Sequence, residues 1–390
     1  MWIYRKFFKK EKDMRNIKLF EKGTNINLIV KTVGNSCNIE CSYCFEKIKN
    51  VKKSEIKPID LEKILDSIPT TCSLVFHGGE PFLIGYKKFL ELLDTVKKYY
   101  PKKIISVKIQ TNGILLNDQW IDLIYKKYKD LNIEIAISLD GTEEMNAYRI
   151  DKKGENTFHS VINAFKLLNK YGISAGILSV ITRKSLTEVE KYLQLMDTIP
   201  NIKFIKMNAL FNIVDNQLTY NSILPSEYAK FIYDIACKYI EVGLYKRVAI
   251  EPILSIIQNI NGYKSKYCNY SDRKCFNYLS VYPDGKIGPC DCLSIDDFYI
   301  GNIQELNKNL NIDDYVDNYL IREDTNPLKK IIESCKNCDI NDFCKGGCLS
   351  QRFYFRNSKE LLLDFCNSKH YLYNKFKIYK IQGEKENDRL

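Results

Sequence analysis

The spacing of the cysteines constrains this chain more than any other feature of its sequence. Eleven of the fourteen cysteines fall into two groups. The first is the stretch CNIECSYC, where Cys37, Cys41 and Cys44 are separated by three and then two residues. The second consists of eight of the nine cysteines between residues 268 and 366. Reduced thiols grouped in this way indicate metal binding or catalysis rather than disulfides.

Length and composition indicate an ordinary globular protein. With 390 residues, 45% of them hydrophobic and 27% charged, two domains are expected. We see no secretion signal and no apolar run of membrane-spanning length, so we expect a cytoplasmic protein without a membrane partner. The net charge of +11 fits a lysine-rich surface, or alternatively a groove for an acidic peptide. The lysines are scattered, which argues against a nucleic-acid partner.

The first 210 residues alternate short β-branched runs with amphipathic segments, a pattern typical of parallel α/β structure, open or barrel-like. Asn117 and Asn156 are placed to cap two of the helices. We expect the active site at the carboxyl ends of the strands, where the first cysteines and the stretches HGGE, TNG and SLDG gather. The predicted strands are residues 26–33, 73–79, 104–113, 133–141, 175–182 and 202–210.

The pattern changes beyond residue 210. One more helix is predicted, and from Cys268 onward cysteine, glycine and aromatic residues accumulate without regular periodicity. We expect this second region to be held together by metal rather than by a large apolar core. The predicted organisation is a basic extension (1–25), a barrel-like core (26–240), a cysteine-rich region (241–375) and a tail (376–390).

Four interpretations compete for Cys37, Cys41 and Cys44. A disulfide would leave an odd thiol, and structural zinc needs a fourth ligand that no nearby histidine supplies. A buried packing role does not suit the polar residues between them. An iron–sulfur cluster fits best, because thiolates are its usual ligands. Three cysteines on a four-iron cluster leave one iron open, as a catalytic site requires.

These residues resemble the radical S-adenosylmethionine (SAM) superfamily, whose C-x3-C-x2-C signature has an aromatic residue where Tyr43 stands. The resemblance implies a partial (β/α)6 TIM barrel and a [4Fe–4S] cluster that binds SAM at its open iron. One electron then cleaves SAM to a 5′-deoxyadenosyl radical, which takes a hydrogen atom from the substrate. The cofactor carries this chemistry and the protein orients it.

Further positions match the SAM-binding motifs of that superfamily. Gly78, Gly79 and Glu80 correspond to the motif that contacts the SAM amino group, and Asn112 lies in the TNG stretch. Ser138 and Arg149 resemble the pair that binds the SAM carboxylate, for which the planar fork of arginine is suited. Each of these short motifs alone is usually just a turn. Their order behind the cysteine triad is what makes them informative.

The second group of cysteines resembles the SPASM extension of radical SAM enzymes, with two structural zinc sites as the alternative. The resemblance implies two auxiliary [4Fe–4S] clusters, making three in all. Cys268 would complete a set of eight ligands, as in sulfatase maturases. By that pattern the nearer cluster is bound by Cys268, Cys275, Cys290 and Cys348, and the outer cluster by Cys335, Cys338, Cys344 and Cys366.

Three cysteines lie outside these sets. Cys72 precedes an apolar strand and Cys237 lies in an apolar helical pattern, so both are predicted to be buried packing residues. Cys292, two residues after Cys290, is interpreted as structural, with a cluster ligand or a reactive thiol as the alternatives.

Asp291 is the candidate catalytic residue. The sequence Pro-Cys-Asp resembles the motif in which sulfatase maturases place a base for the substrate thiol or hydroxyl. The alternative is an aspartate that binds backbone in a turn. We expect a peptide- or protein-modifying oxidoreductase that needs a flavodoxin- or ferredoxin-type reductant. Maturation of a ribosomally made peptide is the first choice and sulfatase maturation the second. A non-catalytic electron-transfer protein is the third.

Overall fold

A computed structural model describes residues 17–307 and 310–380. The ends of the predicted basic extension and tail, residues 1–16 and 381–390, lie outside the described residues. The strands are β1 Ile26–Lys31, β2 Cys72–His77, β3 Ile104–Thr111, β4 Glu134–Ser138, β5 Ala175–Ile181, β6 Ile202–Ala209, β7 Ile213–Val214, β8 Gln217–Leu218, β9 Ala249–Glu251, β10 Tyr278–Val281, β11 Lys286–Gly288 and β12 Gly301–Asn302.

All six strands predicted from the sequence are present, each shortened by one to four residues. They form the centre of a ten-stranded sheet in the order β12-β11-β10-β1-β2-β3-β4-β5-β6-β9. From β10 to β9 every pairing in this order is parallel, while β11 and β12 add an antiparallel edge. The protein is therefore an α/β structure with a parallel sheet core, and the carboxyl ends of the strands share one edge.

Helices cover the outer face of this sheet. The helices are α1 Pro58–Ser67, α2 Tyr86–Tyr99, α3 Asp118–Ile121, α4 Phe158–Lys170, α5 Val189–Thr198, α6 Pro225–Glu241, α7 Ile253–Ile260, α8 Ile312–Leu320, α9 Asn326–Glu333, α10 Asn341–Cys344, α11 Leu349–Phe355 and α12 Lys359–Phe376. None of the described helices is long and apolar enough to cross a bilayer.

The predicted helix caps are partly confirmed. Asn117 caps α3, because its side chain accepts a hydrogen bond from the backbone N–H of Trp120 at 3.1 Å. Asn156 lies one residue too early to be the cap of α4, which is Thr157. Its side chain still accepts from the N–H of Phe158 at 2.9 Å, so it stabilises the turn that leads into the helix.

The expectation that the cysteine-rich region has little apolar core is wrong. Phe276, Leu279 and Phe343 are buried in the same continuous core as the barrel strands. Strand β10 pairs with β1, and α12 packs along α6. These apolar residues are spaced irregularly among cysteines and glycines, so no helical or strand period revealed them in the sequence.

The two cysteines assigned to packing have different outcomes. Cys72 is fully buried at the start of β2, as predicted. Cys237 is exposed on α6, so that prediction is wrong. Successive residues of a helix point about 100° apart, and here Ala236 faces the core while Cys237 turns outward.

Candidate active site and cluster-binding residues

The three cysteines of the first group lie on the loop that follows β1, at the carboxyl edge of the sheet. They pack around Ile39, Tyr43 and Leu210. The loop is fixed by backbone hydrogen bonds from Glu40 to Ile150, at 2.7 Å, and from Ser42 to Tyr148, at 3.0 Å. These bonds tie it to the segment between β4 and α4, so the thiols are presented by a loop whose course is set by the barrel.

Gly78 and Gly79 bring the end of β2 against this cysteine loop. The N–H of Gly79 donates to the carbonyl of Gly34 at 2.9 Å, and that of Glu80 donates to the carbonyl of Ser36 at 3.0 Å. A Cβ atom on Gly79 would lie 1.9 Å from the Ser36 oxygen, a severe clash. In this structure the close packing of two backbones therefore already requires glycine at position 79.

Glu80 is fully buried and uses both carboxylate oxygens to join β2 to β3. Oε1 accepts from the N–H of Phe82 at 3.1 Å and from the Thr111 hydroxyl at 2.8 Å, and Oε2 accepts from the N–H of Asn112 at 2.8 Å. Burial raises the pKa of Glu80 to about 7, although these hydrogen bonds oppose the shift. Glu80 thus positions Asn112, whose amide lies 3.7 Å from the Cys37 sulfur.

Arg149 is buried beside Cys41 and Tyr43 of the loop. Its Nη1 donates to the Tyr43 hydroxyl at 3.1 Å, and that hydroxyl donates to Asp140. Burial opposes the charge of Arg149, but Tyr43, Cys41 and Asp140 more than offset it and raise the pKa of the guanidinium. Ser138 ends β4, and its side chain is half-buried at the same edge of the sheet.

The residues at this edge fit a thiolate-bound cluster with an anionic ligand. Burial raises the pKa of Cys37 to about 11 and also raises that of Cys41, so bound iron would have to stabilise the thiolate forms of these two residues. Nε of Arg149 is buried and has no hydrogen-bond partner among the described residues. A buried cation with an unused donor suits a carboxylate ligand.

A second buried polar cluster surrounds Asp291, where β1 and β2 end. The Lys31 ammonium donates to Glu46 at 2.6 Å, to Nδ1 of His77 at 2.8 Å and to Asp291 at 2.8 Å. All three of its hydrogens are therefore used. Lys49 also donates to Glu46, at 2.6 Å, and to the backbone carbonyl of Asp291 at 2.9 Å. We call these five residues the mouth cluster.

Charge in the mouth cluster keeps Asp291 ionised. Burial would raise the pKa of this carboxyl, but the ammonium groups of Lys31 and Lys49 hold it well below its ordinary value. Burial opposes the charge of Lys31 as well, yet Asp291 and Glu46 raise its pKa. Burial and the adjacent ammonium lower the pKa of His77 to about 4. His77 is therefore neutral near pH 7, with its proton on Nε2 because Nδ1 accepts from Lys31.

Sequence reasoning found Asp291 but missed the residues around it. Lys31 and His77 are the last residues of β1 and β2, and Glu46 follows Cys44 by two. A lysine inside the otherwise apolar run of residues 26–33 is unusual, and that much of the signal was available in the sequence. Their meeting with Asp291, more than 200 residues away, depends on the sheet and could not be read from spacing.

The four cysteines assigned to the nearer cluster lie close together. Cys275 is buried, and its strongest charge interactions are with Cys348 and Cys268. The N–H of Cys290 donates to the carbonyl of Cys275 at 2.9 Å. Cys292 interacts with the same thiols and lies beside Cys290, so this group contains five sulfurs rather than four.

The cysteines assigned to the outer cluster are arranged around α10 and α12. The N–H of Cys338 donates to the carbonyl of Cys335 at 3.1 Å, and Cys344 ends α10. Residues 345–347 all have positive φ, which turns the chain sharply between Cys344 and Cys348 and links the two sets. Cys366 is exposed on α12.

Comparison with known proteins agrees with this geometry. The model of the radical SAM superfamily matches residues 32–196, and the SPASM iron–sulfur cluster-binding domain matches residues 273–339. A cysteine-type anaerobic sulfatase-maturating enzyme of Clostridium perfringens is 29% identical over 357 residues, covering 88% of this chain and 94% of its own. The radical SAM cyclopropyl synthase TigE of Paramaledivibacter caminithermalis is 25% identical, covering 87% and 71% respectively.

Solved structures show the same fold. The structure of native anSMEcpe with bound AdoMet has a TM-score of 0.75 and 26% identity, covering 90% of this chain and 96% of that one. Streptococcus suis SuiB bound to S-adenosylmethionine has a TM-score of 0.57 at 17% identity, covering 86% and 75%, and so shows the fold alone. The two matched domains imply iron–sulfur clusters and SAM binding. This chain is therefore a radical SAM enzyme with a SPASM domain.

Proposed function

We propose that this enzyme oxidises a cysteine or serine side chain of a protein or peptide at Cβ, giving formylglycine, as a maturase of the sulfatase-maturating kind. The observation that carries the proposal is the ionised carboxylate of Asp291, which is 13% exposed and lies next to Cys290 at the mouth of the barrel. The extent of the likeness to the Clostridium perfringens enzyme, 94% of its length, supports the same assignment.

The residues of the mouth can perform the proton step of such a reaction. SAM and a cluster bound at Cys37, Cys41 and Cys44 would supply the abstraction of hydrogen from Cβ. Asp291 accepts the proton of the substrate SH or OH, which makes the remaining carbon-centred electron easier to remove. The side chain then loses one hydrogen atom, one proton and one electron, a two-electron oxidation. For serine this gives the aldehyde directly; for cysteine it gives a thioaldehyde, which water hydrolyses to the aldehyde with release of hydrogen sulfide.

The electron needs an acceptor. We assign this role to auxiliary iron–sulfur clusters, for which the SPASM cysteines are the candidate ligands. The proposal therefore includes three [4Fe–4S] clusters: one at Cys37, Cys41 and Cys44, and two held by the eight SPASM cysteines in the sets given above. The SAM contacts would come from Tyr43, Gly78, Gly79, Glu80, Asn112, Ser138 and Arg149. An external flavodoxin- or ferredoxin-type protein would supply the first electron, in the cytoplasm.

Maturation of a ribosomally made peptide is the second candidate. The observation that favours it is the environment of Asp291, which already accepts a hydrogen bond from Lys31 at 2.8 Å and is therefore a weaker base than a free carboxylate. The likeness to the cyclopropyl synthase TigE covers nearly as much of the chain as the likeness to the sulfatase-maturating enzyme.

One assay tests both candidates. Anaerobically reconstituted protein is incubated with SAM, a chemical reductant and peptides that contain a single cysteine or serine, with alanine peptides as the control. We expect 5′-deoxyadenosine together with an aldehyde that reacts with a hydrazide probe. A cross-linked product without aldehyde would favour the peptide maturase, and no 5′-deoxyadenosine in any mixture would contradict both.

A further inference from the structure

Lys274, Arg352 and Lys369 are buried cations of the SPASM region that lie close to its cysteines. The exposed fraction is 2% for Lys274 and 7% for both Arg352 and Lys369. Moving a charge from water into the protein interior is costly, so buried charges are normally paired with an opposite charge. The partners of these three side chains therefore indicate what else the region is built to contain.

Neutral groups surround the three cations in this structure. Lys274 donates to the carbonyls of Cys268, at 2.6 Å, and Gly347, at 3.0 Å. Lys369 donates to the hydroxyl of Tyr270 at 3.3 Å and lies 4.6 Å from the centre of its ring. These partial charges satisfy hydrogen bonds but leave the full positive charge uncompensated.

Arg352 has the same kind of environment. Its Nη1 lies 2.9 Å from the sulfur of Cys335, its Nη2 donates to the Ser334 hydroxyl at 3.0 Å, and its Nε has no partner among the described residues. No carboxylate of residues 17–307 and 310–380 forms an ion pair with Lys274, Arg352 or Lys369. By contrast, nearby Lys345 pairs with Asp272 at 3.3 Å.

The strongest charge interactions of the two lysines are with cysteines of both proposed sets. For Lys274 these are Cys268, Cys275, Cys344 and Cys348. For Lys369 they are Cys268, Cys344, Cys348 and Cys366. Each ammonium thus lies within reach of the nearer set and of the outer set. A cluster held by four thiolates carries net negative charge, which is the missing counter-charge.

We propose that Lys274, Arg352 and Lys369 are fixed counter-charges for two neighbouring anionic clusters, and that they raise the reduction potentials of these clusters. The proposal rests on the auxiliary clusters of the proposed function. Reduction adds a negative charge to a cluster, and a buried cation beside it favours the reduced form. The region would thereby be suited to accept an electron from the oxidised substrate carbon.

The test uses full-length protein in which Cys37, Cys41 and Cys44 are replaced by alanine, so that any remaining clusters belong to the SPASM region. Into this background we place Lys369→Met, which removes the charge, and Lys369→Arg, which keeps it. Lys336→Met is the matched control, because Lys336 is exposed between Cys335 and Cys338 and water screens its charge. For each variant we measure the iron and sulfide content. We then determine the reduction potentials by a redox titration that is followed by electron paramagnetic resonance.

We expect Lys369→Met to make reduction of at least one cluster roughly tenfold less favourable, a shift of about 59 mV to lower potential for one electron. Lys369→Arg and Lys336→Met should stay near the parent value. Loss of iron from the Met variant but not the Arg variant would also support the counter-charge role. Equal potentials in all variants, or equal iron loss in the Met and Arg variants, would overturn it. A background protein without iron would instead refute the proposed clusters themselves.

Discussion

The barrel mouth and the SPASM region both bury lysines, but they balance the charge in opposite ways. At the mouth, Lys31 lies between the carboxylates of Glu46 and Asp291. In the SPASM region, Lys274 and Lys369 make no ion pair with any carboxylate of the described residues. At the mouth, two ammonium groups and two carboxylates balance one another without a cofactor. By the proposal above, anionic clusters supply the counter-charge that the described residues of the SPASM region lack.

This difference indicates two kinds of site. A charge-balanced cluster can bind and deprotonate a substrate while the rest of the barrel stays unchanged. A region that lacks its counter-charge is suited to permanent, closed metal binding, in which ligand and protein stabilise each other. The following predictions test whether the two regions can be separated in this way.

The largest effect is expected at the first cysteines. Replacing Cys37, Cys41 and Cys44 with alanine should abolish formation of 5′-deoxyadenosine, because no cluster can form where SAM binds. The iron of the SPASM region should remain, since none of its proposed ligands is touched. Iron analysis and chromatography of the nucleoside measure both. The exposed Cys237→Ser is the control and should keep full activity. Loss of all iron in the triple variant would show that the regions are not independent.

The next largest effect concerns the base. Asp291→Asn removes the proton acceptor, so product should fall by about 10²–10⁴-fold while SAM is still cleaved. The ratio of product to 5′-deoxyadenosine, measured with the same peptide, reports this uncoupling. Asp296→Asn, an exposed aspartate five residues further on, should leave the ratio unchanged. Undiminished product from the Asp291 variant would assign the proton step to another group.

Lys31→Met tests the balance of charge at the mouth. It leaves the carboxylates of Glu46 and Asp291 facing each other without the ammonium between them, which should cost about 3–5 kcal/mol of folding stability. Urea unfolding followed by tryptophan fluorescence measures the change. Lys98→Met is the matched control, because the exposed pair of Lys98 with Glu62 has the same 2.6 Å separation, and we expect a loss of less than about 1 kcal/mol.

An equal loss in the two variants would mean that burial adds nothing to the Lys31 pairs. A larger loss in the Lys31 variant, together with a higher pKa of Asp291, would confirm that this ammonium both stabilises the fold and keeps the carboxylate ionised. The pKa of Asp291 is followed through the pH dependence of product formation. This measurement is needed because a lysine with a purely structural role would leave that pH dependence unchanged.

The sequence predicted the sheet well because each barrel strand is a short, continuous apolar run. The cysteine triad was recognisable for a similar reason, since its spacing is local. The mouth cluster was not, because Lys31, His77 and Asp291 come from three distant segments that meet only through the pairing of β1 with β2 and β10. The counter-charges Lys274 and Lys369 were equally hidden, since a lysine in a lysine-rich chain carries no sign of burial.

The smallest effect is expected from the pH dependence of His77. Its pKa is about 4 in the folded protein against an ordinary 6.5. Between these two values the unfolded chain therefore binds a proton at His77 and the folded chain does not. The stability that neutral His77 contributes is therefore present above about pH 6.5 and is lost as the pH falls through the window below it. When the pH falls from about 7.5 to 5.5, the free energy of unfolding of the parent protein should fall by about 1 kcal/mol more than that of His77→Gln. The glutamine variant is the control because its amide oxygen can still accept a hydrogen bond from Lys31. Urea unfolding at the two pH values measures this difference. Equal losses of unfolding free energy in the parent protein and in His77→Gln would mean that His77 is protonated as readily in the folded protein as in water. Lys31 would then not control the charge of His77.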